Sequence, residues 1–133
     1  MPNKTTLKKA RADLRAGKSP STAAGEFVRE EIEHIREGKH GARSPEQAIA
    51  IGLSKARRAG VPLKPPKRGE TKKRTLRSAR RDYEVGQGKG KARAASRSRS
   101  KASSQKLKRE PRSSVSRSAL SRHAKKVARR RKA

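Results

Sequence analysis

The sequence predicts an all-α protein: a small helical hairpin or three-helix module carrying long, mostly disordered basic arms. Three observations lead there. Lys and Arg number 40 against 11 Asp and Glu, a net charge of +29 over 133 residues, and only 29% of the residues are apolar. Low hydrophobicity with high net charge marks a largely disordered chain, because too little apolar surface exists to offset the entropy of ordering. The charge is also uneven. Residues 1–18 carry six basic groups and one acidic (net +5), residues 19–60 seven and six (net +1), and residues 61–133 twenty-seven and four (net +23). The stretch from Pro20 to Leu63, which takes in nearly all of the neutral middle block, holds nine of the 19 large apolar side chains, and they recur at helical spacing.

Residues 1–18 read as a basic N-terminal arm in which Leu7, Ala10 and Leu14 mark a short helix stopped at Gly17. The helical module spans 19–60. Its first helix runs from about 22 to 37, capped by Ser21 or Thr22 and ended by Gly38, with Ala24, Phe27, Val28, Ile32 and Ile35 on one stripe. Glu31 falls inside that stripe beside His34, so either the face is only partly buried or the pair contacts something. The second helix covers 45–59. Ser44 is its N-cap, Pro45 its first residue and Gln47 the partner in a capping box, while Gly60 and Pro62 end it. Ile49, Leu53 and Ala56 form one face, and the small residues Ala48 and Gly52 allow close approach. Ile51 points elsewhere, roughly 160° from Leu53 at 100° per residue, so a second side of this helix needs cover. The N-terminal helix or a second subunit would supply it. The linker at 40–43 is short enough to make the two helices antiparallel neighbours. A core of this size yields only ~3–5 kcal/mol of net stability.

Residues 61–115 read as a basic segment rich in Pro, Gly, Ser and Arg, mostly disordered, with a further helix at 71–84 bearing Leu76, Ala79 and Tyr83 on one side. The stretch Ser96 to Ser104 is low-complexity and carries no structural signal of its own. Residues 116–132 form an amphipathic basic helix, capped by Ser116 or Ser118, with Leu120, His123, Ala124, Val127 and Ala128 on one face.

Catalysis has little to draw on, and no catalytic residue, cofactor site or metal site is expected. Cysteine is absent, which removes disulfides, thiolate metal ligands and thiol nucleophiles. His34, His40 and His123 lie in different segments without metal-ligand spacing, and no phosphate loop or nucleophile-elbow motif occurs. No apolar run approaches the roughly 18 residues of a membrane span, and the basic start at Lys4 is not followed by a secretory h-region. The terminal helix has only Leu120 and Val127 to insert into a membrane surface, so no membrane partner is expected.

The charge points instead to a polyanion. Lys and Arg neutralise phosphates and release condensed counterions. The residues expected to do so are Lys55, Arg57, Arg58, Lys64, Lys67, Arg68, Lys72, Lys73, Arg74, Arg77, Arg80, Arg81, Arg122, Lys125, Lys126, Arg129, Arg130, Arg131 and Lys132. Lys55, Arg57 and Arg58 have two readings, since cations at a helix C-terminus also complement the helix dipole. DNA is favoured over RNA because two aromatic residues, Phe27 and Tyr83, cannot build a base-stacking platform.

The stretch GEFVREE (25–31), the run HGARSPEQAIAIGLSKARRAGVPLKPPKRG (40–69) and the tail SRSALSRHAKKVARRR (116–131) resemble a family of small basic bacterial proteins of unknown function, often labelled DNA-binding or histone-like. The resemblance implies a cytoplasmic, nucleoid setting and brings no catalytic residue or ligand. The function expected is non-enzymatic, largely sequence-independent DNA binding through Lys and Arg contacts to phosphate. The alternative is an RNA- or ribosome-associated adaptor whose 20–60 module docks a protein partner or a second copy.

Overall fold

The computed structural model describes residues 3–89 and 97–132. Among them are six α-helices: α1 (Lys4–Arg15), α2 (Pro20–Arg36), α3 (Pro45–Arg58), α4 (Lys73–Gly86), α5 (Arg97–Arg109) and α6 (Arg117–Lys132), with one 3-10 turn at Ser113–Val115. The described residues contain no strand, so the protein is all-α. No helix among them is long and apolar enough to cross a membrane.

Local capping chemistry sets the helix ends. The Ser-Pro pair recurs: the Ser19 hydroxyl accepts from the Thr22 N–H at 3.3 Å and the Ser44 hydroxyl from the Gln47 N–H at 3.2 Å, each with proline as the first helical residue. α2 therefore starts two residues before the expected 22. Gln47 does not close a capping box on Ser44; its amide oxygen accepts from the Arg43 N–H at 2.6 Å, one residue further out. Ser116, not Ser118, caps α6, accepting from the Ala119 N–H at 3.2 Å. Helices α1 to α4 share one ending. A glycine with positive φ follows the cap residue (Gly17, Gly38, Gly60, Gly88), and the next N–H reaches back to a carbonyl five residues earlier, as Lys39 N–H does to His34 at 3.0 Å. This left-handed turn satisfies carbonyls that the helix leaves open, and a residue with a Cβ enters it only at a cost.

The chain divides into two compact units: Met1–Glu30 with Ile51–Arg93, and Glu31–Ala50 with Ala94–Ala133. This differs from a 19–60 module flanked by arms, because the division falls inside α2 and inside α3. The physical reason is that the flanking segments bring apolar residues of their own. In the first unit Ala10, Ala23, Ala24, Phe27, Ala56 and Val61 are buried, and Leu7, Leu14, Leu53 and Leu63 pack against them, so α1 covers a face of the helices expected to form the module. α2 and α3 approach closely there: a Cβ built on Gly52 would lie 2.6 Å from the Val28 Cα. In the second unit Ile35, Ala42, Ala48 and Val115 form the core with Ile32 alongside. Its loop is pinned by backbone bonds, from the Gly41 N–H to the Leu107 carbonyl (2.8 Å) and from the Ala42 N–H to the Pro111 carbonyl (3.1 Å).

Long disordered arms are not what the structure shows. α4 occupies 73–86 where a helix at 71–84 was expected, and α5 occupies much of the low-complexity stretch that suggested none. Ala, Lys, Gln, Leu and Arg are good helix formers, and they outweigh the serines between them. None of α5's 13 residues is buried, so local propensity counts for more here than apolar packing, with the Gly41 N–H bonded to the Leu107 carbonyl as a tertiary contact. Residues 1, 2, 90–96 and 133, part of the expected arms, lie outside the described residues.

Candidate nucleic-acid interface

α4 places its side chains by simple helical arithmetic. Leu76 and Ala79 face inward, 7% and 6% exposed. Lys73, Arg77, Arg80 and Arg81 then project outward, and with Arg68 and Lys72 they line an open groove of roughly 920 Å³ floored in part by Leu76. All six cations are exposed. Among the described residues none of the six has a carboxylate partner within salt-bridge distance, although Glu84 stands at the groove's edge. Two contacts hold α4 in place. Asp82 accepts from the Ser54 hydroxyl at 2.5 Å and pairs with the Arg58 Nε at 3.6 Å. One turn further on, at the C-terminus of α4, a Cβ on Gly86 would overlap the Arg57 carbonyl oxygen, so only glycine allows that approach, and Gln87 Nε2 donates to the Gly60 carbonyl at 3.3 Å.

Arg57, one of the residues expected to contact phosphate, is turned inward instead. It is 9% exposed, its Nε donates to the Leu63 carbonyl at 3.1 Å, and its Nη2 donates to the Lys64 carbonyl at 3.3 Å. Burial lowers its pKa from the ordinary value, with Asp82 acting in the opposite sense. The guanidinium thus satisfies the carbonyls of the connector that leaves α3, and a buried charge stays because it is hydrogen-bonded. Arg58 is half exposed but paired with Asp82, and Lys55 is half buried. Lys64, Lys67 and Arg74 are exposed in the same unit.

The second unit holds the rest of the set. Arg122, Lys125, Lys126, Arg129, Arg130 and Arg131 are exposed along α6, whereas the Lys132 side chain lies outside the described residues. α6 is anchored by Ala119, 8% exposed, and by His123 Nδ1 against Glu46 Oε1 at 3.1 Å. The Glu46 carboxyl is held below its ordinary value first by its own backbone N–H in the opening turn of α3, with His123 adding a smaller push in the same direction.

Two cationic faces escaped the sequence reading. Lys4, Lys8, Arg11 and Arg15 form one stripe on α1 beside Leu7, a spacing of i, i+4, i+7 and i+11 that was there to be seen. Arg97, Arg99, Lys101, Lys106, Lys108 and Arg109 project from α5. The first unit then carries 22 basic and six acidic groups (net +16), and the second 18 and five (net +13).

The histidines need a correction as well. Only His123 stays apart: the chain reversal at Gly38 brings His40 back to α2, where its Nε2 lies 2.8 Å from Glu31 Oε1, and His34 stands beside both. Comparison of the chain with protein-family models, with curated proteins and with solved structures returned no match.

Proposed function

We propose that the protein is a non-enzymatic, histone-like DNA-binding protein of the nucleoid that contacts phosphates without reading bases. The observation that carries this reading is the α4 groove, where six exposed cations face one carboxylate, Glu84, and none of the six is within salt-bridge distance of a carboxylate among the described residues. Solubility alone does not need this much charge of one sign on one face. The two units, at +16 and +13, give one chain two phosphate-binding surfaces, the valence that bridging requires. α5, with no buried residue, gains further order from phosphate contact. Phe27 is 1% exposed, which leaves Tyr83 as the one aromatic side chain near solvent and disfavours recognition by base stacking. The resemblance noted above points the same way.

The test is fluorescence anisotropy of the full chain with matched duplex DNA, single-stranded DNA and structured RNA at salt from about 50 to 300 mM. Engagement of the six groove cations alone predicts a slope of log K against log salt of about −5, a loss of about 10³ between 50 and 200 mM. Slopes that are steep and alike across duplex sequences, with duplex bound most tightly, support the proposal. A strong RNA preference, or affinity that survives high salt, defeats it.

A further inference from the structure

We propose that Glu31, His34 and His40 form a binding site for a divalent transition-metal ion of the zinc class, separate from the cationic surfaces. Glu31 and His34 stand three residues apart on α2, the i, i+3 spacing that points a carboxylate and an imidazole to the same side of a helix. His40 comes from the loop that follows. Its position is fixed twice over: by the reversal at Gly38, φ +84°, and by the bonds tying Gly41 and Ala42 to the Leu107 and Pro111 carbonyls. One ligand atom from each of the three residues lies within 4.8 Å of the other two. The His34 and His40 rings are edge to face at 6.4 Å between centroids, so both can turn a nitrogen to one point.

His40 Nδ1 lies 2.9 Å from the Gly41 carbonyl, which only accepts, so Nδ1 donates and Nε2 is the nitrogen aimed at Glu31. In the metal-free pair Nε2 donates as well, to the Glu31 carboxylate, and a metal ion takes the place of that proton between them. A backbone carbonyl behind the imidazole is the partner that commonly orients a metal-binding histidine. Glu31 is 2% exposed and His40's side chain 16%, so the carboxylate sits in a dry place where a cation is worth most. Two imidazoles and one carboxylate suit Zn²⁺, Cu²⁺, Ni²⁺ or Fe²⁺, whereas Mg²⁺ and Ca²⁺ favour all-oxygen sites. At Zn–ligand distances of about 2.0 Å a tetrahedral set has its atoms about 3.3 Å apart, so the 4.8 Å limit needs a contraction within reach of χ rotations. Three protein ligands leave the fourth position to water.

The experiment is titration of the chelator-treated full chain with Zn²⁺ alone against a competing chromophoric chelator, followed by Co²⁺ as a spectroscopic probe. The expected result is one Zn²⁺ per chain, weakened at least about 100-fold by Glu31→Gln, His34→Gln or His40→Gln and unchanged by His123→Gln. Circular dichroism checks that each variant stays helical. Should His40→Gln lose its fold, His34→Gln, at a half-buried surface position, carries the comparison. Three results overturn the proposal: no stoichiometric Zn²⁺, wild-type affinity in the folded Glu31 and His34 variants, or an equal loss with His123→Gln. Glu31 and His40 are then an ion pair and nothing more.

Discussion

Two glycines sit inside helices of the first unit, Gly25 in α2 and Gly52 in α3, and replacing each by alanine is expected to move stability in opposite directions. In a helix interior the exchange normally stabilises by about 0.5–1 kcal/mol, because alanine loses less backbone entropy on folding. Gly25 is exposed and a Cβ there meets nothing within 4 Å, so Gly25→Ala is expected to show the full gain. At Gly52 the new Cβ would lie 2.6 Å from the Val28 Cα and 2.9 Å from its amide nitrogen. Carbon atoms settle at about 3.5–4.0 Å, so α3 must retreat by about 1 Å, and backbone atoms offer no rotamer escape. A gap of that size forfeits a quarter to a half of the dispersion energy of every contact across the helix pair, Phe27 and Leu53 among them. Overpacking of this kind costs about 1–3 kcal/mol, against a propensity gain of about 1 kcal/mol. Gly52→Ala is therefore expected to destabilise by up to about 2 kcal/mol, leaving the two variants about 0.5–3 kcal/mol apart. Urea denaturation followed by circular dichroism gives both values from the midpoint shift at constant m. Equal stabilisation by the two alanines would refute the close α2–α3 approach.

Arg57→Gln and Arg77→Gln should separate structure from binding. The first leaves the Leu63 and Lys64 carbonyls short of a donor and is expected to cost about 1–3 kcal/mol in a thermal melt with little change in salt slope. The second should leave the melt unchanged and reduce the salt slope of DNA binding by about 0.9. Glu46 sets a pH dependence: its folded pKa is depressed, so its stabilisation is present above its ordinary value of 4.5 and is lost as pH falls through the folded value. Glu46→Gln should flatten the decline of Tm below about pH 4.5, and an unchanged acid limb would remove Glu46 as its cause. Ser44→Ala removes the cap of α3 and is expected to cost about 1 kcal/mol in the same denaturation assay, with no loss if the Gln47 N–H finds water equally well.

What could be read from the sequence followed the range of the interactions involved. The helix at 45–58 was legible because Ser44, Pro45 and Gly60 act within a turn of where they stand. Ser19–Pro20 carries the same grammar, but Ser21 and Thr22 just beyond it have the same cap chemistry and were the expected caps. Arg57 was misplaced because its burial depends on where the chain goes after Gly60, and nothing local announces that its partners are the carbonyls of Leu63 and Lys64. His34 and His40 are six positions apart across a helix end, a spacing that means nothing until the turn at Gly38 folds one onto the other. The cores were underestimated for a different reason. Setting alanine apart from the large apolar residues hid the material from which both are built.

Of the 13 buried apolar side chains among the described residues, eight are alanine. An alanine has no rotamers to surrender, so burying it costs nothing in side-chain entropy, whereas a leucine loses about 0.5–1 kcal/mol. A chain with few large apolar residues thus orders helices at a low entropic cost per residue. The same economy narrows what mutation can do. In most cores the large residues tolerate least change, because removing them opens cavities. Here the smallest residues join them: Ala23, Ala24, Ala42, Ala48 and Ala56 are 0% exposed, so a larger side chain at any of them has to displace what covers it.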